Sequence, residues 1–269
     1  MNPQDSGQVL KRLREQSRIS QAELAHRVGV SQRHLSCIET SKAQPSREML
    51  VAILDALEPP LADRNQSFLA FGYAPVYPSR TLEDGAMNDV SQVIDLMLSK
   101  HEPFPAIVLD ADWNLLRFNG GVLKLFELLG MPVSAPQGTP NLIEWMLAPG
   151  GLLTRIVNRD EVVPYLLRRL QAEAMHLPQL QPLLASVPQA WMKQVSGLPS
   201  PKSPTLITRF GAVDGQELAF MTTITTFGTP LDITVESLRI ELLYPVNEAA
   251  RLAFQSNELH TVGSLPKGV

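Results

Sequence analysis

Apolar residues recur at helical spacing through the first part of the chain, and the clearest stretch runs from Gln21 to Thr40, QAELAHRVGVSQRHLSCIET. Leu24 and Val28 are i,i+4 neighbours on one predicted helix; Leu35 and Ile38 are i,i+3 neighbours on the next. Ala25 is small, as the close crossing of two helices at a turn requires. Gly29 provides the left-handed residue of the turn without steric cost, and Val30 fills the corner. The polar residues left over on the second helix, Gln32, Arg33, Ser36 and Cys37, share an outward face. Their chemistries suit base edges: Gln pairs with adenine, Arg with guanine, and a small side chain meets a thymine methyl. An ordinary amphipathic helix pair does not require size, turn and apolar positions to agree together.

The same periodicity predicts the neighbours of this pair. Ser6 opens a first helix with Val9, Leu10 and Leu13 on its apolar side, while Lys11, Arg12 and Arg14 project elsewhere, within reach of phosphates. Ser20 caps the next helix with Glu23 three residues on, and Ser31 caps the reading helix. Lys42 lies in the polar loop SKAQPS, within reach of a DNA backbone. Ser46 or Pro45 opens REMLVAILDALE, whose stripe is Met49, Leu50, Ile53, Leu54 and Leu57. Pro59-Pro60 stops it, a fifth helix ends at Gly72, and the breaker-rich APVYPSRTLEDG reads as a domain boundary.

Beyond that boundary the period changes. MNDVSQVIDLMLSK, residues 87–100, is an amphipathic helix that serves either as a linker or dimer helix or as packing for the second domain. AIVLD and NLLRFN read as short strands about the turn DADW, with Asn119 as cap for GGVLKLFELLG. A helical middle follows: NLIEWML with Asn141 as cap, then NRDEVVPYLLRRLQAEAM with Val163, Leu166, Leu167 and Leu170 core-facing. The end is strand-like: SPTLITRF, GQELAFMTTITTFG and TVESLRIELLYPV. In the second of these, Leu218, Phe220, Thr222 and Ile224 share one face. The residues after about Arg251 are polar and Gly/Pro-punctuated, as a frayed tail is.

Composition then narrows the function classes. No apolar run spans a bilayer, and the N-terminus lacks the cationic start and apolar core of a secretory signal. One cysteine among 269 residues excludes an internal disulfide framework and suits a reducing cytoplasm. The formal charge of −4 looks wrong for a DNA binder until it is divided. Residues 1–50 hold eight cations against five anions, or +3, so the remainder carries −7. A basic module attached to an acidic one fits that split.

SQAELAHRVGVSQRHLSCIE is very similar to the phage-repressor and XRE-type helix-turn-helix. That resemblance implies that Gln21 holds a phosphate and that Ser31, Gln32 and Arg33 read bases. Cys37 stands where many members of that family carry a longer polar reader. The stretches FPAIVLDADWNLLRFN, NLIEWML, NRDEVVPYLLRRLQAEA and TTITTFGTPLDITVESLRIELLYP resemble the MmyB-like ligand-binding domain that often follows such a motif. This second resemblance implies a PAS-like sheet with helices on one face, enclosing an apolar pocket for a fatty-acid-like or other lipophilic ligand. The expected architecture is therefore an all-α helix-turn-helix domain of about five helices over 1–75 and a linker or dimer helix over 76–100. An α+β PAS-like domain with an antiparallel sheet follows over 101–250, then a flexible tail over 251–269.

Candidate chemistry points to binding rather than catalysis. His26, His34, His101, His176 and His260 show no metal-ligand spacing, and no nucleophile elbow or phosphate loop appears. No catalytic residue, metal site or cofactor is assigned. Asp110 and Asp112 read as turn formers. Cys37, with no resolving partner, reads as packing or a small contact rather than a redox sensor. The DNA-contact candidates are Gln21, Ser31, Gln32, Arg33, Ser36, Cys37 and Lys42. The ligand-site candidates are Phe118, Phe126, Trp145, Met146, Phe210, Phe220 and Thr222, each of which also makes sense as plain core. The leading expectation is a cytoplasmic, homodimeric regulator that binds an operator in double-stranded DNA and senses a lipophilic ligand, with no membrane partner. Two other readings stay open: a second domain that is a protein-interaction module without a small-molecule pocket, and a cryptic enzyme that regulates itself through DNA.

Overall fold

The computed structural model describes residues 6–132, 140–175, 177–189, 191–192 and 204–255. The chain forms two compact units. The first runs to Thr81 and takes in a distant segment, Phe227–Glu236; the second runs from Leu82 to Thr226 and resumes at Ser237.

Among the described residues, the N-terminal part of the first unit holds α1 (Ser6–Gln16), α2 (Gln21–Arg27), α3 (Gln32–Glu39), α4 (Arg47–Leu57) and α5 (Leu61–Ala70). Their apolar stripes meet in one core that contains Leu10, Leu13, Leu24, Leu35, Ile53 and Phe68. Serine side chains start three of the helices. Ser20, Ser31 and Ser46 each accept an N–H three residues on, at 3.1, 3.2 and 3.2 Å. Each such cap contributes about 1 kcal/mol by satisfying an N–H that the helix leaves unpaired.

In the second unit, α6 (Asn88–Lys100) precedes β1 (Ala106–Leu109), β2 (Leu115–Phe118), α7 (Gly120–Leu128), α8 (Leu142–Leu147), α9 (Arg159–Ala174) and α10 (Gln181–Ala185). Then come β3 (Ile207–Gly211), β4 (Glu217–Thr225), β5 (Arg239–Pro245) and α12 (Glu248–Gln255); between β4 and β5 the chain forms α11 (Ile233–Ser237), which belongs to the first unit up to Glu236. The five strands form one antiparallel sheet in the order β2-β1-β5-β4-β3. One face carries Leu109, Leu115, Phe210, Leu218 and Phe220 into a core shared with α7, α8 and α9. On the opposite face Arg117, Val108 and Ile240 lie in register across β2, β1 and β5. Arg117 there donates to Asp95 and to the Ser91 carbonyl on α6, at 2.7 and 3.2 Å. Helix α6 thus lies on the face away from α7–α9, an addition to the expected helices on one face, and buries Ile94 and Leu98.

Three local expectations are corrected. Asn119 holds the position before α7, but its side chain does not cap that helix. It is fully buried and ties the β1 approach together: Oδ1 accepts from Ala106 N–H, and Nδ2 donates to the Leu98 and Phe104 carbonyls. Glu102 accepts the Gly120 N–H in its place, at 2.7 Å. TVESLRIELLYPV starts as helix α11, because Asp232 Oδ1 accepts from Thr234 N–H at 2.8 Å and stabilises a helical turn before the strand. Arg251–Gln255, expected in a frayed tail, belong to α12, where Phe254 is buried against Phe104 and Phe220. The rest of that expected tail lies outside the described residues.

Candidate nucleic-acid interface and ligand-binding domain

The turn between α2 and α3 is built by hydrogen bonds. Val30 N–H bonds the Ala25 carbonyl and Gly29 N–H bonds the His26 carbonyl, at 2.9 and 3.2 Å, with Gly29 at φ 72°. This is the Schellman arrangement, which needs a left-handed residue where Gly29 stands. Leu35 and Ile38 are fully buried beneath α3. Helix α3 is thereby rolled so that Gln32, Arg33 and His34 are exposed at its N-terminal end. Ser31 is also exposed, but its Oγ is engaged as the cap. Ser36 and Cys37 are half-buried, one turn further on, and Lys42 is exposed in the following loop.

The far end of α3 is anchored by a charged group within the core. Glu39 is buried, and Arg14 Nε and Nη2 reach its two carboxylate oxygens at 2.6 and 3.0 Å. The hydrogen bond to Glu39 raises the Arg14 pKa further above its ordinary value, against the opposing effect of burial. Arg14 also donates to the Ile19 carbonyl, so it is a brace and not the phosphate contact expected from the sequence. Gln21 Nε2 donates to Glu39 Oε2 at 3.0 Å, which orients the candidate phosphate ligand from the same carboxylate. A primary amide has a second N–H to offer. Gly7 on α1 packs against this end of α3 so closely that a Cβ there would lie 2.5 Å from the Glu39 carbonyl oxygen. Its N–H donates to Ser41 Oγ at 3.0 Å, and Ser41 holds the left-handed φ of 57° that ends α3. Read from the sequence as projecting away from the apolar side, Arg14 in fact borders it, four residues after Leu10. Gly7 gave no signal in the sequence, since a close approach is visible only in three dimensions.

In the second unit, Phe126, Met146, Phe210 and Phe220 are buried in the sheet–helix core, with Phe118 and Trp145 packed against it. The rings meet edge to face: Phe126 with Trp145 at 4.7 Å and Phe210 with Phe220 at 6.2 Å between centroids. Thr222 lies apart from this group. It shares the strand face of Phe220 but is exposed.

The polar centre of this core is assembled from residues far apart in the chain. Trp113 is almost fully buried at a left-handed φ of 66°, and its indole N–H donates to Glu173 on α9 at 2.7 Å. The guanidinium carbons of Arg169 and Arg239 lie 4.6 and 4.7 Å from its ring centroid. Arg169 pairs with Glu173 and Glu241, and Arg239 with Glu173, all within 3.0 Å. Two cations and two anions balance in charge around one aromatic ring, which ties α9 to β5, while the buried Arg239 Nε is left without a hydrogen-bond partner. Asp110 forms the expected turn, accepting from the Asp112 and Asn114 N–H groups at 2.9 Å. Among the described residues no three His, Cys, Asp or Glu side chains come together as a cation site, and no helix is long and apolar enough to cross a membrane.

The model of the MmyB-like transcription regulator ligand binding domain matches residues 90–256, well over half of the chain. The chain belongs to the MmyB-like transcription regulator family. A helix-turn-helix domain model matches residues 6–66, covering α1 to α4 and the first part of α5. No curated protein matches the chain. This MmyB-like regulator therefore joins a helix-turn-helix to a ligand-binding domain, the composition of a ligand-responsive DNA-binding regulator. Both matched families are binding modules, and the matched span of the second takes in α6 from its third residue.

Proposed function

We propose that this protein is a homodimeric regulator whose α3 enters the major groove of an operator and whose second unit binds a lipophilic, fatty-acid-like ligand. The observation that carries the reading is the pairing in one chain of an exposed α3 N-terminus with a ligand-binding domain. Ser31, Gln32 and Arg33 stand at the end of α3 that contacts base edges in helix-turn-helix proteins, with Ser36 and Cys37 next along. Gln21 and Lys42 flank them as phosphate contacts. One such motif covers a half-site, and useful specificity takes two half-sites about one DNA turn apart, which is the reason for a dimer. The ring-lined core of the second unit suits an apolar body, and the cytoplasmic location expected from the sequence goes with a DNA partner.

Mass spectrometry of the denatured, purified protein tests the ligand. A co-purified fatty acid or related lipid is the expected result. Protein that carries none, and that binds no added acyl chain between about six and eighteen carbons, would favour the protein-interaction reading. Sedimentation at micromolar concentration, with and without operator DNA, tests the dimer; a monomer in both states would refute it.

A further inference from the structure

Neighbouring antiparallel strands need only about two to five residues to turn. The connector from β4 to β5 is longer, and its stretch Phe227–Glu236 is part of the first unit. Its polar groups are spent there. Glu236 Oε2 accepts the N–H of Leu61, the first residue of α5, at 2.8 Å. The residue before α5 is Pro60, which provides no side-chain cap, so Glu236 does so from the far end of the sequence. Asp232, buried, takes a 3.0 Å ion pair from Arg80. Ile233 N–H donates to the Pro78 carbonyl at 2.9 Å, and the Ser79 and Thr234 hydroxyls are 3.4 Å apart.

From α5 the hydrogen bonds continue toward the reading helix. Asn65 holds the chain after α5 through the Val76 and Tyr77 N–H groups, at 2.9 and 3.0 Å. The Phe71 carbonyl accepts from Gln44 at 3.0 Å, and the Tyr73 hydroxyl donates to the Pro45 carbonyl at 2.8 Å. Gln44 and Pro45 belong to the loop that follows α3 and carries Lys42. A contiguous set of contacts therefore runs from the connector of two sensor strands to the loop beside the recognition helix.

We propose that Phe227–Glu236 is a coupling clasp, through which a displacement of β4 against β5 changes the DNA affinity of the first unit. The proposal requires only that these strands move, whatever moves them, so it stands apart from the identity of any ligand. A segment that merely closes a hairpin has no reason to cap α5. Burial holds the Glu236 carboxyl above its ordinary range, against the pull of the Leu61 N–H and Arg64, as fits a cap taken out of water.

The test uses the full chain with Glu236→Gln and, separately, Asp232→Asn. Amide exchange is measured across α5 and the five strands, and affinity is titrated on a duplex selected from random DNA by the wild type. The expected result is exchange at least about tenfold faster in the first turn of α5, with the strands unchanged. Affinity for the duplex is expected to fall at least about fivefold. Unchanged exchange in α5 would overturn the clasp. Deprotected α5 with unchanged or tighter DNA binding would also overturn it, leaving a structural contact alone. Arg80→Gln breaks the Asp232 pair from the other side and is read by the same two criteria if either connector variant fails to fold.

Discussion

Arg14→Met removes the cation that neutralises Glu39 while keeping the length of the side chain. Only 2% of the Glu39 side chain and 11% of the Arg14 side chain are exposed, so solvent cannot replace the lost partner. Arg14 donates two bonds to that carboxylate, at 2.6 and 3.0 Å, and among the described residues Gln21 is the side-chain donor that would remain. Breaking a buried pair from one side costs about 3–5 kcal/mol. That is a large share of the roughly 5–15 kcal/mol that holds a domain together. For a unit of this size the midpoint of unfolding should fall by more than about 10 °C. The two units can be followed separately, because Trp113, Trp145 and Trp191 all belong to the second. Far-ultraviolet circular dichroism should show an early loss of helix in Arg14→Met, while tryptophan fluorescence keeps its wild-type transition. The double variant Arg14→Met/Glu39→Met removes both charges and should regain most of the loss, since an apolar replacement of a buried pair is about neutral. A single variant within about 1 kcal/mol of wild type, or a double variant worse than the single, would refute the view of Glu39 as a buried charge held by Arg14.

Three further outcomes follow from particular contacts. Arg33→Ala should lose about 1–3 kcal/mol of base discrimination, mainly at one base pair, whereas Gln21→Ala should weaken binding to all sequences more evenly; titrations on selected and scrambled duplexes separate the two. Gly7→Ala should cost about 1–3 kcal/mol by driving α1 off the end of α3, measurable by urea unfolding, because the atom it meets is backbone. Burial raises the Glu102 carboxyl above its ordinary pKa, against the Gly120 and Gly121 N–H groups. A raised folded-state pKa gives stability that is full below the unfolded value and lost as pH rises through the folded one. Glu102→Gln should therefore gain on the wild type in thermal unfolding as pH goes from about 4 to 7, and a decline over that range would reverse the assignment.

The helical periodicity of the first unit was legible in the chain because its contacts are local. Leu24, Val28, Leu35 and Ile38 mark their faces at i,i+3 and i,i+4. Ser20, Ser31 and Ser46 mark helix starts, and Gly29 marks the turn. Each signal lies within a few residues of the backbone group it serves. The strands were legible as alternation in β4 and β5, and Asn141 as the cap of α8, whose Ile143 N–H it receives at 3.1 Å. The tertiary structure decided what depends on partners far away in sequence. Arg14 became a brace and not a phosphate contact because Glu39, twenty-five residues on, lies buried beside it. Asn119 turned from its helix to the β1 approach, where it satisfies three backbone groups at once. Arg169 and Glu173 stand four residues apart on α9, but nothing in the sequence links that pair to Trp113 and Arg239, and only the packing of α9 on β5 makes them one cluster. Glu236 reads in the sequence as one more acid near a strand. It caps α5 because folding brings it to Leu61 across 175 positions of chain, a distance over which no local propensity acts.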